Sequence, residues 1–369
     1  MNNKNFEVFI DCGSSKMRAG AFDKNNSKNN FYHEGNFFFD NSNITIEIEK
    51  IISSIEKDTS EYLNEVNLMI DSSEMLSINI SIAKKLDGSK LKEEDIQFLV
   101  QDVKQQVLRN YLMYDIAHII IKNYKLDEID YIFLPNNINC NFISLDILFI
   151  CLPKNTIEFF KKLFLELNVS TNQIYCSSYA KSFNYKENLS LIENISFIDI
   201  GFEKTSITSY KKNEITFIDV LPVGGNHITK DISKILKLDL LESERIKLYF
   251  DKNQNFLNEK KISLNLINQI ISARTEEILE LSIKSIRQNL IMFDNCKIIL
   301  MGKGSKILDS KFKEKISLTS DIDLLEETTE DICESGLKMM EGMNRQEVLI
   351  IPKKQIDQGF FEKLFHFFK

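Results

Sequence analysis

The 369 residues, 43% of them hydrophobic and 27% charged, suffice for two domains with ample core. A net charge of −8 and the lack of any long basic stretch argue against nucleic acid as the main partner. The chain has no tryptophan and only 4 prolines, and its abundance of Ile, Asn and Lys reads as codon bias that blurs every periodicity.

Cys12, Cys140, Cys151, Cys176, Cys296 and Cys333 show no C-x-x-C spacing and lie mostly in apolar runs. They read as reduced, buried small hydrophobes of a cytosolic protein, not as zinc ligands or disulfides. Met1 to Asn5 runs straight into a strand, so no signal peptide is expected. No apolar stretch reaches the roughly 20 residues that span a bilayer.

Glu7 to Phe22 reads as a hairpin: an apolar strand ends in Asp11-Cys12-Gly13, turns, and alternates again. A polar turn (Asn25 to Asn30), a strand over 36–40, a helix over 44–65 and a strand over 66–71 follow. Residues 72–153 break this pattern. A strictly alternating strand over 76–82, an amphipathic helix over 92–107 and strands at 118–124, 131–134 and 143–150 predict a small α+β insertion with its own core. A helix over 156–167 returns to the first half.

The second half opens at about 191 and repeats the first motif: Phe197-Ile198-Asp199-Ile200-Gly201 ends a strand, and another starts at Thr205. Strand 215–220, helices 228–238, 242–250 and 265–292, and strand 297–301 follow. That last strand enters Gly302-Lys303-Gly304-Ser305. Two Asp-x-Gly hairpins half a chain apart suggest one design used twice. Glycine lets the backbone approach an anion, turn amides point at phosphate oxygens, and a strand-end carboxylate holds Mg²⁺ through water. Taken singly, each hairpin is equally well an ordinary turn capped by its Asp. His33, His118 and His227 are too scattered for a metal site, and no Ser-His-Asp or Cys-His arrangement is readable.

In order, these elements resemble the actin-like ATPase superfamily, and within it the bacterial cell-division FtsA family. Asp11-Cys12-Gly13-Ser14-Ser15-Lys16 is similar to the first phosphate loop, Asp199-Ile200-Gly201 to the second, and Gly302-Lys303-Gly304-Ser305 to the adenosine loop. Pro222 to Ile232, Ser243-Glu244-x-x-Lys247 and Ile271 to Ile278 also look like stretches of that family. The resemblance implies an α/β, actin-like (ribonuclease H-like) two-domain fold with a 1C insertion. Subdomain 1A would comprise 1–71 and 154–190, 1C 72–153, 2A 191–230 and 297–350, and 2B 231–296. It implies ATP or ADP with Mg²⁺ in the cleft. Asp11, Gly13, Ser14, Ser15, Lys16, Gly201, Lys204, Thr205, Gly224, Gly225, Asn226, Gly302, Gly304 and Ser305 would bind it. Lys247 and Glu277 would lie near adenine and ribose, and Asp11 and Asp199 would hold the metal through water, Asp199 also serving catalysis.

One departure stands out. The family's second loop reads Asp-x-Gly-Gly-Gly-Thr-Thr-Asp, whereas here Phe202 and Glu203 replace two glycines. Glu203 would repel a γ-phosphate unless Lys204 compensates. At about 4 Å and an effective dielectric near 20, either charge amounts to about 4 kcal/mol gross, so the two largely cancel. Hydrolysis needs tighter placement than binding, which implies nucleotide binding with slow or absent turnover.

After a linker over 351–357, the tail 358–369 reads as an amphipathic helix. Phe360, Phe361, Leu364, Phe365 and Phe368 fall on one face. Burying five such side chains at roughly 1.5–3 kcal/mol each is opposed by ordering about twelve residues at roughly 1–2 kcal/mol each. One tail therefore binds lipid reversibly and several on a polymer bind firmly. The alternative is a terminal helix docked on the protein's own core. By resemblance the chain would sit on the cytoplasmic face of the inner membrane at the division site. It would bind the FtsZ C-terminal peptide through 2B, polymerise with itself, and recruit later division proteins through 1C. A PilM-like adaptor of pilus or secretion assembly and an actin-fold sugar or acetate kinase are the competing readings. A heat-shock-70 chaperone would need a β-rich substrate domain not seen here.

Overall fold

The computed structural model describes residues 5–26, 28–37, 43–135, 138–249, 262–289, 296–302, 304 and 322–341. The expected strand and linker over 345–357, the amphipathic tail with Phe360, Phe361, Leu364, Phe365 and Phe368, and Ser305 lie outside them.

The first half begins β1 (Phe6–Cys12), β2 (Lys16–Asp23), β3 (Phe31–Asn36), α1 (Ile44–Thr59) and β4 (Glu65–Ile70). The inserted segment is β5 (Leu76–Lys85), α2 (Glu93–Asn110), β6 (Tyr114–Leu126), β7 (Ile129–Tyr131) and β8 (Phe142–Pro153). The first half resumes with α3 (Lys154–Glu166), β9 (Ser170–Cys176) and α4 (Ser177–Asn188). Then come β10 (Asn194–Ile200), β11 (Thr205–Lys211), β12 (Glu214–Leu221), α5 (Gly225–Leu236), α6 (Leu240–Tyr249), α7 (Leu264–Asn289), β13 (Lys297–Met301), β14 (Ile322–Leu324) and α8 (Thr329–Glu341).

The two halves share one topology. The sheets run β3-β2-β1-β4-β9 and β12-β11-β10-β13-β14, each an antiparallel meander whose first strand is extended by parallel neighbours. Asp11 lies opposite Arg18, and Asp199 opposite Ser206, at corresponding places in the two registers. The single design used twice is therefore real at the level of strand order.

Local chemistry sets the boundaries. In α1, Ile44, Ile48, Ile51, Ile52 and Ile55 recur at helical spacing and are buried. The helix stops at Thr59, short of the expected Glu65, because Ser60 turns left-handed at φ 55°. Thr59 Oγ1 also accepts the Glu61 N–H at 3.3 Å, diverting the backbone from the helical ladder. The third strand occupies Phe31–Asn36, since pairing with β2 starts as soon as the polar turn ends; residues 38–40 of the expected 36–40 lie outside the described residues.

The insertion forms a separate sheet, β5-β8-β6-β7. One face buries Ile119, Ile121, Leu145, Ile147 and Phe149 with Val100, Val103 and Val107 of α2. The alternate residues Ile120, Leu148, Ile150 and Leu152 join the core of the first half. Burial on both faces explains why β8 carries an unbroken apolar run. Among the described residues, no helix is long and apolar enough to cross a membrane.

The chain passes between the halves along α4, which contacts β4 and β9 on one side and β10 and β11 on the other. It returns along α8, which packs on α4, β1 and β2. That return depends on close approach. A Cβ added at Gly336 would lie 2.5 Å from Phe9 Cδ1 and 2.7 Å from Met69 Sδ. Gly336→Val is expected to lower unfolding free energy by about 1–3 kcal/mol through overpacking, measured by urea titration; an unchanged midpoint would show that α8 does not seat this way.

Candidate functional site

Strands β1 and β10 both end at the same opening. There the turns Gly13–Ser15 and Gly201–Lys204 face each other, and Gly302 closes the second side. Ligands of open α/β sheets bind at the carboxyl ends of strands in this way. The cleft and its mouth, open solvent included, enclose about 980 Å³ of empty space.

Helix α4 holds both aspartates. Ser177 Oγ donates to Asp11 Oδ1 at 2.6 Å, while Arg18 Nη1 donates to Asp11 Oδ2 at 2.6 Å. One helical turn on, Lys181 Nζ pairs with Asp199 Oδ2 and lies 3.6 Å from Glu327 Oε1. The i, i+4 spacing of Ser177 and Lys181 puts both on one face. Gly302 N–H donates to Glu327 Oε2 at 2.9 Å, so the adenosine-loop glycine is tied to the same group. Burial alone would lower the Lys181 ammonium's pKa, but Asp199 and Glu327 outweigh it and hold it up. Burial pushes the Glu327 carboxyl up to about 7, against the pull of Lys181. Its Oε1 has no hydrogen-bond donor among the described residues.

The second phosphate loop is built from its own neighbours. Gly201 N–H donates to the Lys204 carbonyl at 2.9 Å, closing the turn. The carbonyls of Gly201 and Phe202 accept the N–H groups of Gly225 at 2.9 Å and Asn226 at 2.7 Å. The first amides of α5 are thus spent on the loop. A Cβ at Gly224 would lie 2.7 Å from both the Gly201 carbonyl oxygen and Lys204 N, so glycine permits this contact. Glu203 Oε1 accepts from Asn226 Nδ2 at 2.6 Å, and the residue borders the adjoining recess with Gly13, Ser14 and Lys204. Asn226 thus ties the Glu203 carboxylate to the first turn of α5. Phe202 and Lys204 line the cleft.

Asp11, Gly13, Ser14, Ser15, Lys16, Asp199, Gly201, Lys204, Gly225, Lys247, Gly302 and Gly304 line the cleft. Their roles differ. Lys16 is ion-paired with Glu34. Lys247 donates to the Gly225 carbonyl at 3.0 Å, Thr229 Oγ1 at 2.9 Å and Glu244 Oε2 at 2.7 Å, using all three of its donors to brace α5 against α6. Burial lowers its pKa, partly offset by Glu244. Gly302 has φ 85°, and a Cβ there would meet Asp199 and the Ile200 carbonyl, so it must be glycine. Lys204 has no side-chain partner among the described residues. Gly224, Thr205 and Asn226 support the loop without lining the cleft; Thr205 Oγ1 donates to the Val223 carbonyl at 2.7 Å. Glu277 lies apart, exposed on α7 and paired with Arg274 at 2.6 Å. Its expected place near the ribose is not where the structure puts it, because the inward face of α7 belongs to Ile271, Thr275 and Ile278.

Arg18, Asp71, Ser177, Lys181, Glu244 and Glu327 line the cleft without having been singled out as ligands. Arg18 follows from hairpin register once the turn length is known; Glu327 has no local signal. The carboxylates expected to serve magnesium are already engaged: Asp11 by Arg18 and Ser177, Asp199 by Lys181. No cluster of three His, Cys, Asp or Glu side chains able to hold a metal occurs among the described residues. The donor set as arranged does not fit a divalent ion.

The raised Glu327 pKa has a thermodynamic consequence. Between about 4.5 and 7 the folded state binds more protons than the unfolded chain, so this group's contribution is full at low pH and is lost as pH rises through 7. Glu327→Gln removes that dependence. Relative to the parent chain it is expected to gain on the order of 1–3 kcal/mol between pH 5 and pH 8, read by denaturant titration at both; equal effects at the two pH values would contradict this.

Residues 196–349 match the family model "Cell division protein FtsA". Cell division protein FtsA of Helicobacter pylori is 31% identical over 97 residues, 26% of this chain and 20% of that protein. That of Bacillus subtilis is 34% identical over 108 residues, 25% and 24% of the two chains. That of Neisseria meningitidis is 31% identical over 137 residues, 32% and 33%. The matched stretches thus span about a fifth to a third of the length of these relatives. Among solved structures, the PilM-PilN type IV pilus biogenesis complex aligns with TM-score 0.59 at 12% identity, covering 91% of this chain and 96% of that one. MreB5 of Spiroplasma citri bound to ADP aligns at 0.50 and 11% identity, covering 91% and 97%. The chain has the actin-like fold, and its second half relates it to the FtsA family of cell-division proteins.

Proposed function

We propose that the chain is an actin-like cell-division protein that binds ATP or ADP in the cleft between its halves and hydrolyses it slowly or not at all. The observation that carries this is the pairing of two topologically equivalent hairpin turns across one opening, with a Lys204 ammonium between them that has no side-chain partner among the described residues. The family match supports the cell-division role. Slow turnover is supported by Asp199, whose carboxylate is held by Lys181, and by Phe202, which stands in the cleft where the family has glycine.

By the same relationship the chain polymerises, binds the FtsZ C-terminal peptide through 231–296, and recruits later division proteins through 72–153. Its terminal phenylalanines hold it at the inner leaflet. This part of the reading is carried by sequence, where five large apolar side chains share one face of a twelve-residue tail.

Calorimetric titration of ADP into the whole chain tests the cleft. Binding is expected, and Lys204→Ala should weaken it about 10- to 150-fold, the range for losing one charge-assisted hydrogen bond. An absence of nucleotide binding by the parent chain would overturn the proposal. Steady-state phosphate release from ATP should be at background; release abolished by Asp199→Ala would overturn the slow-turnover part. Phe361→Asp combined with Phe365→Asp should abolish flotation with anionic vesicles, and unchanged flotation would exclude the anchor.

A further inference from the structure

We propose that Lys181 takes the place of a divalent ion in this cleft, so that the nucleotide's phosphates are countered by a fixed ammonium of the chain and bound without metal. The inference rests on the nucleotide reading of the cleft and adds to it how the ligand's charge is met.

Three observations lead there. The first is position. Lys181 Nζ pairs with Asp199, at the end of β10, and lies 3.6 Å from Glu327. It thus sits among the carboxylates that a cation in this cleft would use, one helical turn from the serine that holds Asp11.

The second is charge. Asp11, Asp199 and Glu327 are faced by Arg18 and Lys181, both largely buried, with side-chain exposures of 13% and 9%. A hydrated divalent ion draws its affinity from carboxylates with lone pairs and negative charge to spare. Across the whole lining, the carboxylates of Asp11, Asp71, Asp199, Glu244 and Glu327 are matched by the cations of Lys16, Arg18, Lys181, Lys204 and Lys247, so little net negative charge is left to attract it, or to repel a phosphate.

The third is donor capacity. An ammonium has three N–H donors. Asp199 takes one, and at 3.6 Å Glu327 Oε1 is beyond hydrogen-bond distance and has no donor of its own among the described residues. Lys181 can therefore keep its pair with Asp199 and still donate into the cleft that it lines. Its place on α4 fixes it to both halves, so binding does not require recruiting a mobile charge. The ammonium stays protonated through the neutral range because Asp199 and Glu327 offset its burial.

ADP binding to the whole chain, measured by calorimetry with excess Mg²⁺ and again with EDTA, decides the matter without any variant. The two dissociation constants are expected to agree within about threefold. A tenfold or greater loss in EDTA would overturn the inference while leaving the nucleotide reading intact; no binding in either buffer would overturn both. Lys181→Met, which keeps the stem and removes the charge, should weaken binding in EDTA at least tenfold and let Mg²⁺ restore part of it through the freed Asp199 and Glu327. Lys181→Arg should keep metal independence. Undiminished binding by Lys181→Met in EDTA would also overturn the inference.

Discussion

The grip of one helix on two aspartates organises the molecule. Each half has a strand ending in Asp, and each Asp is buried where a bare carboxylate would be costly. Helix α4 relieves both: Ser177 donates to Asp11, and Lys181 pairs with Asp199. The same helix is the covalent crossing between the halves, so satisfying the carboxylates also fixes the distance across the cleft. The return helix α8 packs on α4, and the loop before it delivers Glu327 to the other side of Lys181. Connectivity and electrostatics thus converge at one place. Removing one member of a buried ion pair is more costly than the pair's net worth, because the partner stays buried and charged. The cleft is therefore a stiff part of the fold as well as its opening.

The second phosphate loop shows how a departure from a family pattern is accommodated. Replacing glycines by Phe202 and Glu203 leaves the turn intact because Gly201 still closes it onto Lys204. Gly224 lets α5 press against the loop from behind, and Asn226 holds the Glu203 carboxylate with a hydrogen bond. What changes is the cleft wall, where an aromatic ring stands with the Lys247 ammonium 5.4 Å from its centroid.

Strand order and the two hairpins were legible because their signals are local: an apolar run, an Asp, a Gly, and resumed alternation. The inserted sheet was legible for the same reason, since its odd and even residues serve different cores. The electrostatics of the cleft were not. Arg18 and Lys16 lie two residues apart on one strand face; the register puts Arg18 between Asp11 and Glu34, yet it pairs with Asp11 and leaves Glu34 to Lys16 on the diagonal. Lys181 and Glu327 come from two different crossings, and nothing near either in sequence announces that they meet. Glu277 shows the opposite error: a motif match put it near the ribose, whereas the helical period of α7 turns it to solvent. Local pattern fixes backbone elements; which charge faces which is a tertiary property.

The central claim is that the two hairpins and the helix between them form one ligand site. Amide hydrogen exchange of the whole chain with and without saturating ADP tests it most directly. Slowed exchange is predicted together in 12–18, 177–182 and 200–206, the segments that meet at the cleft. Protection confined to one half, or confined to the inserted sheet, would contradict it.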